Sequence, residues 1–208
     1  FNIRGVAKGR MGEADGAIAD YSEAIRLKPG YPEPFSNRGL ARNAKGDHGG
    51  AIADCSEAIR LNPNYPDAFN NRGVSKSDQG DLDGAITDYG EAIRLKPDYA
   101  EAFSNRGIVK RKKGDHGGAI ADCSEAIRLK PDDPQAYSSR GKAKSEKGDL
   151  NGAVADFSKA ILLNPADPEV FISRALARVR RGDLDGAIAD LTEAIRLNPS
   201  APLTYSTR

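Results

Sequence analysis

Any chemistry this chain performs would be sought first at His48 with Cys55 and at His116 with Cys123, the only histidines and cysteines among its 208 residues. Both pairs lie in a stretch, KGDHGGAIADCSEAIRL, that occurs twice letter for letter, from Lys45 and from Lys113. A spacing of seven on a helix puts His and Cys on one face but about 10 Å apart along the axis. Zinc takes nitrogen and sulfur ligands at about 2.0–2.3 Å, so such a pair without further ligands cannot hold it. Equivalent positions elsewhere carry Leu82 with Tyr89, Leu150 with Phe157 and Leu184 with Leu191, which marks the pair as packing residues and the cysteines as buried free thiols. The HGG at His48 resembles a fragment of an oxyanion loop, but no G-x-S-x-G, phosphate loop, dinucleotide fingerprint or H-E-x-x-H accompanies it, and the repeat explains its glycines. The sequence therefore predicts no enzyme, no metal and no cofactor.

Recognition is the chemistry the residue types do favour. Asn37, Asn71 and Asn105 recur at a fixed interval, each two residues after an aromatic. A carboxamide carries both donors and an acceptor, so a row of them can hold the C=O and N–H groups of an extended backbone with little demand on its side chains. The same amides can equally bond to an adjacent structural unit and set its stacking. A second candidate is VKRKKGDH, whose Arg111 and Lys112 suit an acidic segment, although cations at a helix C-terminus are also favoured by the helix dipole alone.

The elements that must position these residues follow from one interval. Pro29, Pro63, Pro97, Pro131, Pro165 and Pro199 are 34 residues apart, and Phe1, Phe35, Phe69, Phe103, Tyr137, Phe171 and Tyr205 keep the same clock. Each repeat reads as two helices. In the second, Gly46 supplies the left-handed residue that ends EPFSNRGLARNAK, Asp47 caps HGGAIADCSEAIRL, Pro63 stops it and Pro66 opens the next helix. Small residues at Gly39, Ala51 and Ala58 let helix axes approach closely, and a hairpin of this size must stack on neighbours to bury its apolar face. The predicted fold is an all-α solenoid of antiparallel helix pairs, one array with repeats at 1–31, 32–65, 66–99, 100–133, 134–167 and 168–201, and 202–208 opening a further helix.

Phe35, Gly39, Ala51, Cys55, Ala58 and Pro63, with Tyr21, Tyr89 and Phe157 in the second aromatic slot, resemble the tetratricopeptide repeat signature over essentially the whole chain. That resemblance implies a right-handed superhelix whose first helices line a concave groove, and it makes the asparagine row similar to an asparagine ladder known in the family. On this reading Ser36, Asn70 and Ser104 run beside the row, then Leu40, Val74 and Ile108, giving a polar groove with an aliphatic stripe and, at Glu33, Asp67 and Glu101, an acidic edge. The carboxylate clamp of chaperone-binding members is not matched.

The chain departs from the family by carrying Arg38, Arg72 and Arg106 before the glycine and Arg42, Lys76 and Lys110 four residues on. A charge in a packed position is costly unless paired. Aspartates recur on every second helix, so a structural ladder is expected, Arg38 with Asp54 or with Asp20, Arg72 with Asp88 and Arg106 with Asp122.

Composition bounds the partners. Lys plus Arg number 31 against 30 Asp plus Glu, a formal net charge of +1 that exerts no bulk pull on nucleic acid or an anionic membrane. No apolar run approaches the roughly 20 residues of a spanning helix. Two cysteines make no disulfide framework and favour a reducing compartment such as the cytoplasm. The expected function is a protein interaction scaffold that binds an extended peptide. Two alternatives stand beside it: the targeting arm of a larger enzyme, and a solenoid that self-associates head to tail through uncapped ends around Phe1 and Leu203 to Tyr205.

Overall fold

The computed structural model describes residues 1–199, and within them every regular element is a helix. The chain divides into two compact bodies, Phe1–Val109 and Lys110–Arg208. The first contains α1 (Asn2–Arg10), α2 (Ala14–Leu27), α3 (Pro32–Ala44), α4 (His48–Leu61), α5 (Pro66–Gln79) and α6 (Leu82–Leu95). The division falls within α7 (Ala100–Lys112). The second body contains α8 (His116–Leu129), α9 (Pro134–Lys147), α10 (Leu150–Leu163), α11 (Pro168–Arg181) and α12 (Leu184–Leu197).

Consecutive helices pack as antiparallel hairpins, α1 with α2, α3 with α4, α5 with α6, α9 with α10 and α11 with α12. The second helices α2, α4, α8 and α10 also meet the first helix that follows them, α3, α5, α9 and α11, and first helices touch along a row, α1 to α3 to α5 and α9 to α11. The architecture is an all-α solenoid.

Short-range chemistry explains the hairpins. Gly46 and Gly80 adopt φ of +82° and +95° at the turn, a region that costs glycine nothing. Asp47 then accepts the Gly50 N–H at 2.9 Å and caps α4. A Cβ on Gly50 would stand 2.2 Å from Oδ2 of the capping Asp47 carboxylate, so the second glycine of HGG serves the cap. Pro32, Pro66, Pro134 and Pro168 occupy the first helical turn, where a missing N–H costs nothing.

Hairpins close on a small-to-large contact. A Cβ at Gly39 would lie 2.6 Å from Cys55 Sγ, and one at Gly73 or Gly141 would lie 2.8 Å from the Tyr89 or Phe157 ring. Around these contacts Ala85, Tyr89 and Val109 form one core, and Ala153, Phe157, Ala160, Val170 and Ala177 another. No helix among the described residues is long and apolar enough to cross a membrane.

Candidate functional site

The row of first helices in Phe1–Val109 carries Asn37 on α3, Asn71 on α5 and Asn105 on α7, all half-buried. Each donates one amide hydrogen to the preceding hairpin: Asn37 Nδ2 to Asn2 Oδ1, Asn71 Nδ2 to Ser36 Oγ and Asn105 Nδ2 to Asn70 Oδ1, all at 3.1 Å. The stacking role is therefore present. Among the described residues no partner takes the carboxamide oxygen of any of the three, so an acceptor and a second donor stay open on each.

The neighbouring stripe needs correction. Ser36, Asn70 and Ser104 are buried at 0%, 1% and 5% exposure, so they do not line an accessible groove. Ser36 and Asn70 are the acceptors that lock the next hairpin, and Asn70 also donates to Glu101 Oε1 at 3.3 Å. Leu40 is 49% exposed, whereas Val74 and Ile108 are half-buried and Val74 packs on the Ala85–Tyr89–Val109 core. The acidic edge is partly engaged, because Asp67 lies beside the Tyr99 phenol and Asn70 donates to Glu101.

Beneath this face lies the charged ladder. Arg38 grips Asp54 through two bonds of 2.8 and 2.7 Å, and Arg72 grips Asp88 in the same way, each within its own hairpin. Arg4–Asp20, Arg140–Asp156 and Arg174–Asp190 repeat it. Arg106 stacks on Phe103 at 5.6 Å, and Asp122 is 6% exposed and met by Lys110 at 2.8 Å. The sequence reading missed two further partners. The residue four positions on from each arginine also meets the aspartate, as Arg42 meets Asp54 at 2.9 Å and Lys76 meets Asp88 at 2.8 Å. The arginine's remaining nitrogen crosses to the previous hairpin, Arg38 to Ser22 Oγ at 3.0 Å and Arg72 to Ser56 Oγ at 3.2 Å. Two cations on one buried carboxylate, plus a hydroxyl, meet the desolvation cost that a lone pair would leave. At Asp20, hydrogen bonds from Arg4 and then Lys8 hold the carboxyl well below the usual carboxylate range. The signal available in the sequence was the invariant interval between these residue types.

Arg111 is not a free cation, because Glu146 Oε1 takes it at 2.6 Å, and only Lys112 of the expected pair is exposed. His48 Nδ1 meets Asn43 Oδ1 at 2.8 Å and His116 Nδ1 lies 3.3 Å from Glu146. Cys55 and Cys123 are free and buried. Burial, and then Asp54 beside Cys55 and Asp122 beside Cys123, push both thiols up to about 12, so neither is a nucleophile at neutral pH. Among the described residues no group of three His, Cys, Asp or Glu side chains could hold a metal. Leu203 to Tyr205, named for end-to-end association, lie outside the described residues.

No curated protein sequence matches the chain. Solved structures match the fold. MamA from Desulfovibrio magneticus RS-1, residue 41 to its end, aligns at a TM-score of 0.73 with 22% identity over 81% of this chain and 96% of that one. The Cut9–Hcn1 hetero-tetramer of APC/C aligns at 0.85 with 19% identity over 95% of this chain and 39% of that one. YrrB, described as a TPR protein with an unusual peptide-binding site, aligns at 0.68 with 19% identity over 86% and 93%. At these identities the likeness speaks for the fold alone. Family models described as TPR repeat match residues 10–46, 39–78, 75–110 and 109–148, and one described as Tetratricopeptide repeat matches 139–202. With hairpins, turn glycines and aromatic-on-glycine contacts all in that register, the chain belongs to the tetratricopeptide repeat family.

Proposed function

We propose that this protein interaction scaffold works without catalysis by holding an extended partner segment against the face of α1, α3, α5 and α7. The reading rests on the half-open carboxamides of Asn37, Asn71 and Asn105. Each uses one N–H to fasten its hairpin and keeps an oxygen and a second N–H for a peptide unit. Leu40, about half exposed beside them, adds apolar contact. YrrB, a TPR protein with an unusual peptide-binding site, shares this fold, which supports the same use of it here. The arginine–aspartate ladder is structural support on this reading.

A peptide-library selection on the wild type and on Asn37→Ala/Asn71→Ala/Asn105→Ala tests it. Each lost net hydrogen bond costs about 1 kcal/mol, so the triple variant should bind selected peptides roughly a hundredfold more weakly. A thermal melt of the same variant separates lost stacking from lost binding. Unchanged affinity in a folded triple variant removes the asparagine row as the site.

A further inference from the structure

A cleft of about 490 Å³ opens at the first hairpin junction, walled by Val6 and Gly9 of α1, Ala14 at the start of α2, and Leu40, Ala41 and Ala44 of α3. Its origin is a local break in the repeat. One hairpin further along, the positions of Gly9, Ala14 and Ala44 are held by Asn43, His48 and Asp78. There His48 meets Asn43 at 2.8 Å and Asn43 donates to Asp78 at 2.7 Å, so side chains fill and bridge the junction. At the first junction three small residues leave that volume open.

The polar groups in the cleft are few and incompletely satisfied. Tyr21 is 4% exposed, lines the cleft and has no hydrogen-bond partner for its hydroxyl among the described residues. Its oxygen lies 3.8 Å from where a Cβ on Gly9 would stand. Burial, and then the Asp20 charge, raise this phenol, so it is a protonated donor at neutral pH. Arg10 also lines the cleft, and among the described residues no carboxylate pairs with it. Asn37, on the same wall, presents its open carboxamide half. An apolar hole beside one uncompensated guanidinium is complementary to an apolar group attached to an anion.

We infer that this cleft is the anchor pocket of the partner segment, receiving an aliphatic or aromatic side chain whose adjoining residue brings a side-chain carboxylate to Arg10. The inference rests on the extended-segment reading and adds a specificity to it: an apolar–acidic pair of residues seated at the first junction, with the backbone continuing toward Asn71 and Asn105.

The junctions supply the test. Gly9→Asn/Ala14→His/Ala44→Asp rebuilds the first junction with the residues of the second, so the fold tolerates it, and a circular dichroism melt verifies that. A library of peptides blocked at both ends is selected on the wild type and on this filled variant. The wild type should enrich an apolar residue followed by Asp or Glu, and the filled variant should return peptides without that pair. For one selected peptide measured by fluorescence anisotropy, replacing the apolar anchor by Ala should weaken binding by about tenfold or more. The gain from Glu over Lys at the next position should vanish in Arg10→Gln. Enrichment of the pair on the filled variant overturns the pocket, as does binding that requires a free C-terminal carboxylate. If selected peptides lack the pair yet lose affinity in the asparagine triple variant, the pocket falls while the extended-segment reading stands. If nothing is enriched, both fall.

Discussion

Ser22 accepts a hydrogen bond from Arg38 of the next hairpin while donating its own hydrogen to the Ile18 carbonyl at 2.7 Å, and Ser158 does the same between Arg174 and Val154. Gly90 is where this relay stops. Arg106 Nη1 comes within 3.8 Å of the place its Cβ would occupy, but glycine offers no hydroxyl to accept it. Gly90→Ala should raise stability by about 1 kcal/mol through helix propensity alone. Gly90→Ser gains less from propensity and adds a charge-assisted bond, for a total of about 1.5–2 kcal/mol. Urea denaturation of both variants decides: a serine variant no more stable than the alanine variant means that the relay contributes nothing.

Between elements, the aspartate ladder joins the two helices of a hairpin, whereas the exposed Arg–Glu pairs three residues apart join nothing beyond one helix. Asp88 receives Arg72 and Lys76 from α5 while it sits on α6 at 2% exposure. Asp88→Ala strips two part-buried cations of the carboxylate they share and should cost about 3 kcal/mol. Glu91→Ala, which frees Arg94 only three residues away on the solvent side, should leave the denaturation midpoint nearly unmoved. This level was also the most legible from the amino acids. Proline, glycine and aspartate act through local backbone geometry, so the 34-residue interval located the helix ends at Gly46, Asp47 and Pro66, as observed. The site was legible only in part. Adjacency in the repeat placed Ser36, Asn70 and Ser104 beside the asparagines, but which of two adjacent polar positions faces solvent depends on how closely α3, α5 and α7 approach one another. The cleft at Ala44 escaped notice for a similar reason, since an absence of side chains is visible only once the neighbours that fill the next junction are in place.

Across the molecule, balanced charge hides a dependence on protonation that is small at each exposed Arg–Glu pair and larger at Asp20, which takes both Arg4 and Lys8. Asp20, Glu23, Glu57, Glu91, Glu125, Asp183 and Glu193 all have carboxyls lowered by hydrogen bonds, six of them from arginine first and Asp183 from the Gly186 N–H first. A depressed folded-state pKa stabilises above the unfolded value, about 4, and that stability is lost as pH falls through the lowered value. Tyr65 shifts the other way, pushed up to about 12 by burial and then by Asp67, and burial raises Tyr89 and Tyr99 further. Their contribution is complete below the unfolded phenol value of about 10 and is lost as pH rises through the raised one. Urea midpoints should therefore stay level between about pH 6 and 8 and fall on both sides, the alkaline limb opening with the raised Cys55 and Cys123 thiols above their unfolded value of about 8.5 and continuing with the phenols, whose tyrosinate absorbance should rise together with unfolding. A midpoint that climbs toward pH 4 would contradict the acid limb.

The glycine beneath each large side chain carries a consequence for how such a chain can be rearranged. Gly39 fits Cys55, Gly73 fits Tyr89 and Gly141 fits Phe157, and each match spans sixteen residues inside one hairpin. The fastenings from one hairpin to the next are generic by contrast, an amide or guanidinium meeting a hydroxyl, carbonyl or carboxylate oxygen. Whole hairpins are thus the interchangeable cassettes of this chain, and a lone second helix transplanted under a foreign first helix would arrive with the wrong bulk.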